Sequence, residues 1–190
     1  MLLAALLAAC GGGAGDESVA TGPAPAAPAA STAGGASASG PMSTGTCSLP
    51  DFMAGVLARI NQLRASGADC GSAGRFGATT AMRWNVKLAE AADSHSLDMA
   101  AGNYFSHTSA DGRTLSHRVD ATGVAWSSLG ENIAAGQPSV DAVMDAWAAS
   151  PGHCANLMNA GFTDVGLACV PGTATSSYRT YWTMDLARVR

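Results

Sequence analysis

From residue 11 to residue 46 the chain is almost entirely glycine, alanine, serine, proline and threonine. Such a stretch cannot bury enough apolar area to offset the entropy of ordering it. It is expected to be a disordered tether, spanning about 30–35 Å on average as a flexible coil of roughly 36 residues. Any packed core must therefore come from residues 47–190, a length that suits one ordinary domain. Hydrophobic content is 47%, but much of it is alanine, so the large side chains after Cys47 must carry the core. Net charge is −4, Lys87 is the only lysine, and the arginines are scattered. No basic footprint for nucleic acid is present, and no electrostatic membrane patch. A monomer is expected.

Residues 1–10 read MLLAALLAAC. Leu7-Ala8-Ala9-Cys10 matches the bacterial lipobox, in which the cysteine becomes the acylated first residue. The apolar run is short and lacks a basic flank, so a chance Ala-Cys after an ordinary export signal is the competing reading. Gly11 rather than aspartate follows the cysteine, which favours sorting to the outer membrane. The protein is thus expected to be exported, as an outer-membrane-anchored lipoprotein or in secreted or periplasmic form. No stretch elsewhere approaches the ~20 apolar residues of a transmembrane helix.

Apart from Cys10, four cysteines remain: Cys47, Cys70, Cys154 and Cys169. In an exported chain an even number points to disulfides. Three pairings are open. The two sequence-local bonds, Cys47–Cys70 and Cys154–Cys169, are expected, each closing a loop for which chain entropy gives about 3 kcal/mol. A four-thiolate zinc site would want a C-x2-C element, which the chain lacks.

Local signals place five helices early and two strands late. Pro50-Asp51 opens a helix with Phe52, Val56, Ile60 and Leu63 on one face. Asn85 caps a second, with Leu88, Ala92, His95 and Met99 together, ending at Gly102-Asn103. A third runs from Thr114 to Thr122. Ser139 caps a fourth, and Ser150-Pro151 restarts a fifth with serine at the N-cap and proline at the first helical position. Residues 163–170 and 178–186 alternate as strands and should pair antiparallel. Helices first and strands last imply an α+β fold.

Three short segments bring titratable groups beside turn or capping residues: Phe105-Ser106-His107, Gly130-Glu131-Asn132 and Ser150-Pro151-Gly152-His153. At the first turn of a helix the dipole disfavours a charged His153, and neutral imidazole is the form that binds metal or accepts a proton. Glu131 reads as a turn carboxylate, and His107 as a histidine at a loop mouth. His95 fits a hydrogen-bonded core histidine and His117 a solvated one. A Ser150–His153–Glu131 set is conceivable, although N-capping explains Ser150 more simply. Zincin, serine-hydrolase elbow and phosphate-loop motifs are absent.

The stretches HSLDMA at His95, FSHTSADGRTLSHRV at Phe105, GENIAAGQ at Gly130, AWAASPGHCANLMNAGFTDVGLAC at Ala146 and YWTMDLA at Tyr181 together resemble the CAP superfamily of cysteine-rich secretory, antigen 5 and pathogenesis-related class 1 proteins, in its bacterial single-domain branch. The resemblance covers about residues 52–190. It implies a three-layer α-β-α sandwich with a small antiparallel sheet and a cleft. His107 and Glu131 match the family's first histidine and glutamate, and His153 its second histidine. The second glutamate belongs three residues after Trp147, where this chain has Ser150. The resemblance implies a cleft lined by His107, Glu131, His153 and Ser150, with zinc or another divalent cation on His107 and His153. It also implies a lipid- or sterol-like ligand or a cell-envelope component as partner. A hydrolase acting through Glu131 and His153, and a purely structural interaction module, are the alternatives. Fold alone does not choose among them.

Overall fold

A computed structural model describes residues 45–190. Cys10 and the first 44 residues, with the expected lipid attachment and most of the tether, lie outside the described residues.

Five α-helices form where the capping signals place them: α1 (Phe52–Ser66), α2 (Val86–Gly102), α3 (Leu115–Ala121), α4 (Val140–Ala148) and α5 (Pro151–Met158). Asn85 Oδ1 accepts from the backbone N–H groups of Lys87 and Leu88, and Ser139 Oγ from that of Ala142. These bonds satisfy amides that a helix start leaves unpaired. Asn103 closes α2 in the left-handed conformation, φ 48°, with its N–H on the Met99 carbonyl. None of the described helices is long and apolar enough to cross a membrane.

A short hairpin pairs β1 (Ala68–Asp69) with β2 (Arg75–Phe76). The main sheet has the order β3-β5-β6-β4, from β3 (Arg83–Trp84), β5 (Asp164–Pro171), β6 (Thr180–Val189) and β4 (Trp126–Ala135). β5 and β6 pair antiparallel as expected, and β4 adds antiparallel to β6. β3 adds a short parallel edge. β4 departs from the expected turn: Glu131 lies inside a ten-residue strand, opposite Asp185 of β6. Extended pairing places its side chain on one face and that of Asn132 on the other.

The sheet is the middle of three layers. On one side Phe52, Val56 and Ile60 of α1, Val143 and Trp147 of α4 and Leu157 of α5 pack on Val165, Leu167, Trp182, Met184 and Leu186. On the other, Leu88 and Ala91 of α2 and Val119 of α3 meet Ala187. The second contact is very close: a Cβ at Gly166 would stand 2.1 Å from the backbone nitrogen of Ala89. Only glycine fits there.

Two arginines are fully buried among these layers. Arg64 continues the Phe52-Val56-Ile60 stripe of α1. It donates to the carbonyls of Thr80, Leu157, Asn159 and Phe162, binding α1 to the end of α5 and the turn after it. Its partner in this pattern, Arg118, belongs to the site.

The disulfides correct the expected pairing. They join Cys47 to Cys169 and Cys70 to Cys154, at sequence separations of 122 and 84. The expected Cys47–Cys70 and Cys154–Cys169 bonds do not form, because the fold brings the entering chain onto β5. There Cys47 N–H donates to Cys169 O, and Cys169 N–H to Gly45 O. Cys70, in the loop after α1, meets Cys154 on α5. Thr46 bridges Cys169 of β5 in parallel.

Candidate functional site

Glu131 is the centre of the site, and its side chain is 4% exposed. Oε1 accepts from His107 Nδ1 at 2.7 Å, and Oε2 accepts from Arg118 Nη2. Burial pushes the carboxyl up, but the hydrogen bond from His107 and the charge of Arg118 outweigh it. Its pKa is therefore below the ordinary carboxylate value, and the group is an anion.

A carboxylate only accepts hydrogen bonds, so His107 Nδ1 is a donor. In the neutral ring the other nitrogen, Nε2, then carries the lone pair. The His107 side chain is 59% exposed, which leaves that nitrogen open to a ligand. The arrangement orients an imidazole from behind, as a carboxylate on the far ring nitrogen does for catalytic or metal-binding histidines.

The backbone of His107 is fixed as well. His95 is fully buried on α2, and its Nε2–H donates to Ser106 O at 2.8 Å. Its Nδ1 faces Ser109 Oγ at 3.3 Å. Arg118 Nη1 donates to His107 O, Ser109 Oγ and Arg113 O, each at 3.2 Å. The loop between α2 and α3 is thus clamped by a core histidine and a core arginine. Burial and the neighbouring Arg118 charge both lower the His95 pKa, so the ring is held neutral. The core reading of His95 holds. His117 is exposed, with Nδ1 accepting from the Thr114 N–H at the start of α3.

Beneath Glu131 lies Asp185, which is fully buried. Neither of its oxygens has a hydrogen-bond partner among the described residues. Burial first, and then the charge of Glu131, raise its pKa well above the ordinary value, against the opposing pull of Arg118. Asp185 is accordingly a neutral acid facing an anion.

His153 approaches from α5. Its Nδ1 lies 3.0 Å from Ser150 Oγ. The Ser150 hydroxyl makes no capping bond to the helix, which corrects the simpler reading of that residue. Burial and the charge of His107 both lower the His153 pKa. Asn132 Nδ2 donates to His153 O at 3.2 Å, and Asn156 Nδ2 donates to Asn132 Oδ1 at 2.9 Å. His107 thus meets the edge strand β4 at Glu131 through its ring, and His153 meets it at Asn132 through its backbone carbonyl. Glu131 pairs with His107, and Ser150 with His153.

Arg118 and Asp185 were not singled out in the sequence. A signal for the first existed: Arg118 stands three residues after Leu115 and next to buried Val119, on the inward side of a short helix. Asp185 alternates with Met184 and Leu186 in an otherwise apolar strand. Phe105, two residues before His107, and Tyr178 are both about half exposed, with ring centroids 6.2 Å apart.

With both oxygens of Glu131 engaged by His107 and Arg118, the zinc or other divalent cation expected here would rest on His107 and His153. Among the described residues, no group of three or more His, Cys, Asp or Glu is placed to hold a metal ion.

Comparison with known proteins agrees with this architecture. The chain is 33% identical over 101 residues to YlbC, an uncharacterized membrane protein of Bacillus subtilis, covering 53% of this chain and 29% of that one. It is 36% identical over 83 residues to YkwD, an uncharacterized protein of the same organism, covering 44% and 32%. It thus spans about a third of the length of the curated relatives it matches. A solved extracellular protein with an SCP domain from Bacillus anthracis is 29% identical, with a TM-score of 0.54 over 74% of this chain and 44% of that one. An outer surface protein of Borrelia burgdorferi shares the fold at 17% identity, with a TM-score of 0.60 over 73% and 92%. The model of the cysteine-rich secretory protein family matches residues 57–186. That match spans all five helices' layers and the whole His107–Glu131 site, and the chain belongs to the CAP, or cysteine-rich secretory protein, family.

Proposed function

We propose that this is an exported CAP-domain protein that binds a small molecule of the cell envelope in the cleft around His107. Two disulfides fit an oxidising compartment. The solved relatives from Bacillus anthracis and Borrelia burgdorferi are described as extracellular and outer surface proteins. Anchoring through acylated Cys10 belongs to the same reading and is tested by loss of membrane association in Cys10→Ser.

The observation that carries the binding reading is the oriented ring of His107, held by Glu131 and Arg118 with Nε2 outward. Such a nitrogen accepts a hydrogen bond from a ligand hydroxyl or amide, or takes its proton. Phe105, two residues before His107 in sequence, pairs with Tyr178 as half-exposed apolar area for the body of such a ligand. The ligand expected is therefore amphipathic, with a lipid- or sterol-like body and a polar donor. Native mass spectrometry and metal analysis of protein purified from its own envelope test this together. A bound molecule retained by His117→Ala and lost in a folded His107→Ala supports it. A divalent ion lost with His107 and His153 would instead support the metal reading, through two imidazoles.

The hydrolase reading has one specific observation in its favour, the Ser150 Oγ–His153 Nδ1 contact. Neutral imidazole beside a hydroxyl can activate it as a nucleophile. A fluorophosphonate probe that labels Ser150, with labelling lost in His153→Ala, would favour it. If these variants change only the melting temperature, the cleft is an interaction module and no more.

A further inference from the structure

A second hollow lies away from the histidines, where the chain enters the domain. It has a volume of about 450 Å³ and sits between the start of α1, β3, the first turns of α2 and β5. Its wall is apolar: Phe52, Met53, Trp84, Val86 and Leu167. Met53 and Val86 are 50% and 64% exposed, unusually open for large apolar side chains. Isolated exposed hydrophobics are ordinary, but a cavity of this size gathering them has the dimensions of a small-ligand site.

One end of the hollow is acidic. Glu90 and Asp93 lie one turn apart on α2 and both line it. Asp93 Oδ1 is shielded from water and has no hydrogen-bond partner among the described residues. No Lys, Arg or His lines the hollow, so its field is of one sign.

We propose that this hollow binds a small cationic amphiphile, whose apolar body lies against Trp84, Val86 and Leu167 and whose protonated amine meets Asp93. The carboxylate selects the ammonium over a neutral or acidic head, and the wall selects the chain. Burial raises the Asp93 pKa to about 6, so the site is charged at neutral pH and loses that charge in mild acid. Glu90 is the other titratable group facing the hollow.

The test uses the full chain and dodecylamine, dodecanol and dodecanoate below their aggregation limits, followed by titration calorimetry. Dodecylamine should bind one to one at pH 7.5, at least about tenfold tighter than dodecanol, with dodecanoate weaker still. Between pH 7.5 and 5.0 its affinity should fall about tenfold, the ionised fraction lost by a carboxyl titrating at about 6. Asp93→Asn should lose most of the preference for the amine over the alcohol, and Asp93→Asn/Glu90→Gln should bind the two alike. Ala89→Leu, a half-buried position that narrows the hollow, should weaken both while the domain still unfolds cooperatively. Equal affinity for the three head groups, no pH dependence, or unchanged amine selectivity in Asp93→Asn overturns the proposal. Binding of a lysine-flanked apolar peptide without binding of dodecylamine overturns it too, in favour of a protein-docking surface.

Discussion

Replacing Asp185 by asparagine should make the protein more stable at neutral pH, although Asp185 lies under the central site. The acid is fully buried, opposite Glu131, and burial together with that anion raises its pKa well above the ordinary value. In the unfolded chain the same carboxyl titrates normally near 4. Between those two values the folded state holds a proton that the unfolded state has released. A raised folded-state pKa contributes stability that is complete below the unfolded pKa and is lost as pH rises toward the folded one. One proton gives a limiting slope of about 1.4 kcal/mol per pH unit. Asparagine keeps the shape, and it has no proton to lose. The assay is urea unfolding of wild type and Asp185→Asn at half-unit steps from pH 5 to 8. Groups common to both proteins cancel, so the stability difference should move in favour of the variant as pH rises, approaching that slope until Asp185 ionises in the folded state. Combining the change with Glu131→Gln should narrow the window, because the anion that helps raise the Asp185 pKa is gone. A difference that is flat across the range would refute the reasoning, since it would mean Asp185 is ionised in the folded protein.

Arg118→Met should cost about 3–5 kcal/mol, because Glu131 is left buried without its main cationic partner; part of the loss should return in the Arg118→Met/Glu131→Gln double variant, measured by chemical unfolding. Arg64→Met strands the carbonyls of Thr80, Leu157, Asn159 and Phe162 and should cost about 3 kcal/mol or more by the same assay. Gly166→Ala forces a Cβ onto the Ala89 backbone, and the expected outcome is loss of cooperative folding by near-ultraviolet circular dichroism. Removing the bond between Cys70 and Cys154, which are 84 residues apart, by double serine substitution should lower stability by about 4–5 kcal/mol on the chain-entropy model.

Local chemistry was readable where it acts locally. Asn85 and Ser139 mark helix starts because an N-cap works within three residues, and Pro151 marks one because its ring suits the first helical position. Alternation marked β5 and β6, whose large side chains are buried on a face. β4 escaped because Ser127, Ser128, Gly130 and Asn132 carry no strand pattern; its extension comes from nine residue pairs with β6, a tertiary cause. The site was half legible. His107 and Glu131 come together, but Glu131 faces His107 and Arg118 rather than His153, and a one-residue step along a strand decides that. Arg64 was legible in principle: it stands four residues after Ile60, as Ile60 does after Val56, so a charged residue continues an apolar stripe. Only the carbonyls at the end of α5, distant in sequence, explain why it is tolerated there.

The disulfide connectivity has a consequence for how the molecule is made. The bonds are nested, with the first cysteine of the domain joined to the last and the middle two joined to each other. A chain emerging from its N-terminus presents Cys47 and Cys70 well before Cys154 and Cys169, and an oxidase acting on thiols as they appear would link the first two. That crosslink, 23 residues apart in sequence, is incompatible with the native pairing and must be broken before β5 can receive the entering chain. Production of this domain should therefore depend on a thiol–disulfide isomerase as well as an oxidant, and yield in a host lacking the isomerase should fall while that of the cysteine-free scaffold does not.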